Sequence, residues 1–299
     1  MALSKIFTVA CVQMTSGPDP AENRAAAEAL IREARAAGAD LILTPETTNL
    51  MVTGRRAMLE KARREDADET LKALRALAAE LGVWLLAGSL VLRAEGAGNG
   101  GAGEDPGSEE KGVNRSLLLG PDGQIAARYD KIHMFDVNVP DGQTYRESRA
   151  YRPGNRAVVA DLPWGRLGLS ICYDLRFPYL YRALAHGGAD FLSVPAAFTR
   201  YTGQAHWHVL LRARAIENGC FVFAPAQCGT HADGRETYGH SLIVAPWGEV
   251  LADGGKAPGI TVARIDPAQV AEARAMIPAL THDRTFTGPE TQPLRAAGE

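Results

Sequence analysis

Three residues of this chain combine into one chemistry: Glu46 at the end of the apolar run LILTP, Lys131 after ARYD, and Cys172 after LGLSI. Each stands where an apolar strand-like stretch gives out, and functional side chains of α/β folds gather at such strand ends, where loops open a crevice. A thiol needs a base to become a thiolate, and a glutamate can serve if a partly apolar site raises its pKa towards neutrality. A lysine beside that carboxylate holds it in place and stabilises an oxyanion as it develops. Base, ammonium and thiol together are chemically complete for acyl transfer. Taken singly, the same residues have plainer uses as a helix-capping glutamate, a solvated lysine and a small core thiol.

The elements that must position these residues can be read from the pattern of apolar residues. Around Cys172, residues 168–182 (GLSICYDLRFPYLYR) read as a strand that turns sharply into a helix started by Pro178. Backbone N–H groups at such a helix start favour negative charge near the thiol. Upstream, 6–14 is a β-branched strand, 20–38 an amphipathic helix with Pro20 near its start and Gly38 at its end, and 40–46 a strand ending on Glu46. A helix at 67–82 carries Leu71, Leu74, Leu77 and Leu81 on one face, and 83–92 is a third strand. Strands at 114–119 and 124–129 flank the turn Pro121-Asp122-Gly123, and strands at 156–161 and 167–172 flank Pro163-Trp164-Gly165. Past Cys172 come helices at 177–187, 203–219 and 267–276, with strands at 189–195, 220–226, 241–245, 249–252 and 260–265. This alternation argues for an α/β fold. It leaves open whether helices cover one face of each of two sheets or both faces of one.

Residues 94–111 (AEGAGNGGAGEDPGSEEK) interrupt the pattern with glycine, proline and acid, and read as a flexible insertion in a single domain spanning 1–285, followed by a polar tail at 286–299. At 299 residues, with 46% hydrophobic and 22% charged content, the chain can bury one large core. A net charge of −3 with both signs interspersed offers no basic stripe for nucleic acid. No segment approaches the roughly 20 apolar residues of a membrane span, and the N-terminus lacks the features of a secretory signal. The four cysteines are too scattered for a disulfide framework, so a cytoplasmic protein is expected. Cys11, Cys220 and Cys228 read as structural. His206 and His208 fall on different sides of a helix and are not expected to pair as metal ligands. His133, two after Lys131, reads first as a plain hydrogen-bonded histidine and alternatively as one that orients Lys131, while His231 and His240 flank a turn-rich stretch able to line an entrance.

The blocks LTPETTNL around Glu46, YDKIHMFDVNVP around Lys131 and GLSICYDLRFP around Cys172 resemble the three signature blocks of the nitrilase superfamily of carbon–nitrogen hydrolases. RESRAYRPG (146–154), GQAHWHVLLRARAIENGCFVFAPAQCG (203–229), YGHSLIVAPWGEVLAD (238–253) and IPALTHDR (277–284) are further matches to its Nit branch. The resemblance implies a four-layer αββα sandwich, two central mixed sheets flanked by helices, assembled as a homodimer or a higher homo-oligomer. It implies Cys172 as nucleophile, Glu46 as general base, Lys131 as oxyanion stabiliser and Glu147 as a fourth catalytic member, with the Tyr173 N–H as second oxyanion donor. Neither a metal nor an organic cofactor is implied, and the partner is a small-molecule amide.

Two subgroups of that branch act on deaminated glutathione and on the ω-amides 2-oxoglutaramate and 2-oxosuccinamate, and APAQCGTH (224–231) is more similar to the first. Either must hold a carboxylate, for which Arg176 and Arg200 are the candidates; an ion pair of Arg176 with Asp174 or Glu217 is the plainer alternative. Rivals are an N-carbamoyl-amide hydrolase, a nitrilase or a catalytically quiet interaction protein. A scaffold would need none of Glu46, Lys131 and Cys172.

Overall fold

Alternation along the strand Phe7–Gln13 separates two cores. Phe7, Val9 and Cys11 enter one buried cluster, while Ala10 and Val12 enter another. Successive side chains of a strand point to opposite faces, so this strand has an apolar layer on each side. The structure is a computed structural model that describes residues 5–94, 110–140 and 144–289. Nearly all of the 94–111 insertion, and 290–299 of the tail, therefore lie outside the described residues.

Two six-stranded sheets stack face to face. The first runs in the order Gly259–Ile265, Phe7–Gln13, Leu41–Leu43, Trp84–Arg93, Gly112–Leu119, Ile125–Asp130. The second runs Val250–Asp253, Leu242–Val244, Phe221–Ala224, Phe191–Ser193, Gly165–Leu169, Val158–Leu162. Both are mixed, with parallel pairs at the centre and antiparallel strands at the edges. Between them, Phe7, Val9, Leu43 and Leu118 of the first sheet share a core with Leu167, Leu169, Phe191 and Phe223 of the second.

Helices Pro20–Ala36 and Glu69–Leu81 cover the outer face of the first sheet, burying Ile31, Leu71, Leu74 and Leu77 against Val12, Ile42 and Leu85. Pro178–His186 and Arg200–Asn218 cover the second, through Leu180, Leu184, Trp207 and Leu211. The alternative left open by periodicity thus resolves to one helical layer on each of two sheets, an αββα sandwich.

Local chemistry sets the element ends. Asp68 accepts from the Leu71 N–H to start its helix, and Gly82 ends it in the left-handed region at φ 62°. The helix expected at 203–219 begins instead at Arg200, because the Thr199 side chain caps it. Gly88 is required for a different reason: a Cβ there would sit 1.6 Å from the Thr44 carbonyl oxygen. That close approach lets Gly88 N–H donate to Thr44 Oγ1 (3.0 Å), Ser89 N–H to the Pro45 carbonyl (3.2 Å) and Thr47 N–H to Ser89 Oγ (2.9 Å). The turn carrying Glu46 is laced to its neighbour strand by these bonds.

Candidate active site

Four charged or nucleophilic side chains meet beyond the strand ends. Lys131 Nζ donates to Glu46 Oε1 at 2.8 Å and to Glu147 Oε1 and Oε2 at 2.9 Å each. Asn114 Nδ2 donates to Glu46 Oε1 at 2.9 Å and to Glu147 Oε1 at 3.4 Å. The other oxygen of each carboxylate takes a backbone donor, the Ala197 N–H for Glu46 (2.8 Å) and the Phe135 N–H for Glu147 (2.6 Å). The Cys172 thiol faces the same Glu46 carboxylate and interacts with it. Glu46, Lys131 and Cys172 are 4%, 2% and 8% exposed, so these interactions act with little screening by water.

That burial decides the protonation states. It alone would raise the Glu46 carboxyl, but the Lys131 charge and hydrogen bond override it and hold Glu46 below its ordinary value. The expectation that an apolar site lifts this base towards neutrality is therefore corrected: the ammonium beside it wins. Burial pushes Glu147 up, with the Glu46 charge adding to the rise against the pull of Lys131. Lys131 is favoured as a cation by both carboxylates despite its burial. Burial and the Glu46 charge push the Cys172 thiol well above its ordinary value. The resting arrangement is thus an ionised glutamate beside a neutral thiol.

The cysteine sits on a strained turn. Its φ is 48°, and Thr47, next to Glu46, has φ 54°. Left-handed conformations cost a non-glycine residue of order 1–3 kcal/mol and persist only where surrounding contacts impose them. At Cys172 the contacts are visible. Its N–H donates to the Pro195 carbonyl (2.9 Å), and the following 3₁₀ helix Cys172–Arg176 is anchored by the fully buried Asp174. The Asp174 carboxylate accepts from Tyr129 Oη (2.6 Å), the Ile171 N–H (2.9 Å) and the His133 N–H (3.0 Å), and also meets His133 Nδ1 (2.6 Å). One carboxylate therefore ties the cysteine turn to the segment that carries Lys131. Replacing Asp174 with asparagine puts an amide donor against donors. The expected result is a loss of about 2–4 kcal/mol in urea unfolding, with a fall in turnover larger than any change in KM.

These groups line one side of a cavity of about 850 Å³. Tyr173 lines it too, and its N–H lies in the first turn of the 3₁₀ helix, where backbone donors have no intrahelical acceptor. Thr47 Oγ1 and Asn114 Oδ1 are buried without a partner beside the carboxylates, and Thr47 and Asn114 both line the cavity. Farther out, Arg55, Arg149 and Arg235 supply positive charge, and Arg235 lies over the Tyr145 ring at 5.9 Å.

The structure brings together Glu46, Lys131, Cys172, Glu147 and Tyr173, but not Arg176 and Arg200. Arg176 lies over the Phe198 ring (5.2 Å) with its guanidinium 3.3 Å from His206 Nδ1; neither Asp174 nor Glu217 pairs with it. Arg200 is exposed and paired with Glu236 at 2.8 Å. Neither lines the cavity, although Tyr173 and Thr202 of the same helical segments do. His231 is buried, bonded to the Ser16 carbonyl and Thr237 Oγ1, and does not line the cavity. Asn114 and Arg235 were not singled out from sequence. Asn114 had one signal, a polar residue at the start of an apolar strand, whereas Arg235 looked like an ordinary turn residue.

A profile of the family described as carbon-nitrogen hydrolase matches residues 8–275. The chain is 45% identical over 280 residues to a Synechocystis sp. (strain PCC 6803 / GT-S) protein named deaminated glutathione amidase, covering 93% of this chain and 98% of that one. The solved C. elegans NitFhit protein superposes with a TM-score of 0.82 and 36% identity, over 95% of this chain and 66% of that longer one. An amidase from Nesterenkonia sp. AN1, solved as a Glu-to-Gln mutant, matches with a TM-score of 0.74 and 26% identity over 94% of this chain and 95% of that one. That structure shows covalent addition of the acetamide moiety of fluoroacetamide at the active-site cysteine.

Proposed function

The chain belongs to the carbon–nitrogen hydrolase family and is an amidase, and from that premise we propose that it cleaves deaminated glutathione through a thioester on Cys172. The observation that carries the mechanism is the convergence of Cys172, Glu46, Lys131 and Glu147 at one end of the cavity. The Cys172 sulfur attacks the amide carbonyl while Glu46 takes the thiol proton. The developing oxyanion is stabilised by the Lys131 charge and the Tyr173 N–H. Glu46 then passes its proton to the nitrogen, the C–N bond breaks, and the amine leaves. Water, deprotonated by Glu46, attacks the thioester; the acid departs and the proton returns to sulfur. Glu147 grips Lys131 through both carboxylate oxygens and so fixes the ammonium during both halves.

Deaminated glutathione carries a 2-oxo acid at one end and a Cys-Gly carboxylate at the other. The cavity's volume of about 850 Å³ exceeds what a five-carbon ω-amide needs, and Arg55, Arg149 and Arg235 supply charge for terminal carboxylates. The family relative named for this activity supports the same reading. The checking measurement is kcat/KM on deaminated glutathione beside 2-oxoglutaramate. A preference of about tenfold or more for deaminated glutathione is expected, and equal rates or the reverse order would overturn the substrate assignment.

A homodimer fits the outer face. Tyr201, Val209 and Ile216 follow one stripe of the helix Arg200–Asn218, and all three are exposed, as is Trp247, whose neighbour Gly248 approaches Ile216. Four free cysteines fit a reducing, cytoplasmic setting.

A further inference from the structure

Away from the cavity, His208, His240 and Asp253 each offer one ligand atom, and these atoms all lie within 4.8 Å of one another. They come from three separate elements: the helix Arg200–Asn218, the link between Glu236–Tyr238 and Leu242–Val244, and the end of the strand Val250–Asp253. His208 Nε2 lies 3.1 Å from Asp253 Oδ2, and His240 Nδ1 lies 3.1 Å from the same oxygen and 2.9 Å from Oδ1. A tetrahedral ion with bonds of about 2.0–2.1 Å separates its ligands by about 3.3 Å. The two imidazole–carboxylate spacings lie within a few tenths of an ångström of that value, and the two imidazole nitrogens lie within 4.8 Å of each other.

We propose that His208, His240 and Asp253 form a site for a divalent transition metal ion of the zinc class, with a fourth position open to water. Two imidazoles and a carboxylate suit such ions better than they suit magnesium or calcium, which take oxygen ligands. The ligands are held by bonds outside the set. The Gly255 N–H donates to Asp253 Oδ1 (2.8 Å), the His240 N–H donates to the Gly255 carbonyl (2.6 Å), and Trp207 Nε1 donates to the His240 carbonyl (2.8 Å). His240 is further fixed in the left-handed region at φ 53°, with its ring stacked on Tyr238 at 4.5 Å. Side chains of His208, His240 and Asp253 are 34%, 17% and 35% exposed in the single chain. Bound there, the ion pins the helix Arg200–Asn218 to both strand ends. Trp207, on that helix, packs against Phe198 of the cavity wall at 5.0 Å.

The test uses the whole chain, free of any affinity tag, in a Cys172→Ala background so that the active-site thiol cannot compete for metal. Cobalt(II) and zinc(II) are titrated with calorimetry and absorption. One ion per chain is expected, with a cobalt spectrum of four-coordinate nitrogen and oxygen ligation and no thiolate charge-transfer band. His208→Gln on the helix surface should weaken that affinity by at least about tenfold. In the otherwise native chain the same substitution should leave metal-free amide hydrolysis unchanged. Asp253→Asn gives a second, independent loss. An absence of binding, or binding that survives both substitutions, would overturn the site.

Discussion

Replacing Cys172 with alanine is expected to lower amide hydrolysis by about 10⁴-fold or more while leaving the fold intact. Under the proposed thioester mechanism the magnitude follows from losing the group that forms the acyl bond, since removing the nucleophile of a concerted constellation costs nearly as much as removing the whole constellation. Stability should change by no more than about 1 kcal/mol, because alanine removes only the sulfur atom, which lines the cavity, and the left-handed φ of 48° is imposed by neighbours that remain. Hydrolysis rates and urea unfolding measured on the same preparation separate the two effects. Residual hydrolysis near the original rate would remove the thiol from the mechanism.

Lys131→Met is expected to damage both chemistry and stability. Lys131 is the ammonium that bridges Glu46 and Glu147, both of which it contacts within 2.9 Å. Without it, two buried carboxylates share one Asn114 amide, and at least one of them must stay protonated. Breaking a buried ion pair from one side costs about 3–5 kcal/mol, and the oxyanion loses its cation. The pH dependence fixes the sign. In the variant the carboxyl pKa values lie above their unfolded values, so the folded state binds more protons. Its stability then falls as pH rises from about 4.5 through the raised values. In the native chain Glu46 is shifted the other way, and its contribution is present above the unfolded value and lost as pH falls through the lowered one. Urea midpoints between pH 4 and 8 should therefore show the variant's deficit growing with pH. A deficit that shrinks with pH would contradict the charge-sharing explanation.

How much of this could be read from the chain depends on distance along it. Glu46, Lys131 and Cys172 were legible because each follows an apolar run that ends abruptly, and a parallel-centred sheet sends such ends to one side. Glu147 lies in a 3₁₀ turn after a two-residue strand and left no periodic trace, so only the resemblance pointed to it. Arg176 was chosen for closeness to Cys172 in sequence and Arg200 for its place in the FTRYTG segment after a strand, and neither lines the cavity; Arg235, 63 positions after Cys172 in the numbering, does. The layer order was hidden because strands such as Leu41–Leu43 are buried on both faces and show no alternation. The depressed base was hidden because composition cannot place an ammonium 2.8 Å from a carboxylate. His208 was weighed against His206, its neighbour in sequence, whereas its partner in space is the carboxylate of Asp253, shared with His240.

The central claim is that Cys172 carries the acyl group, and labelling tests it most directly. The native protein is treated with a halogenated acetamide, with and without substrate, then digested and analysed by mass spectrometry while residual activity is followed. One label per chain on the peptide containing Cys172, slowed by substrate and rising in step with lost activity, is the expected result. Full labelling of Cys172 with hydrolysis intact, or inactivation with the label on Cys11, Cys220 or Cys228, would contradict it.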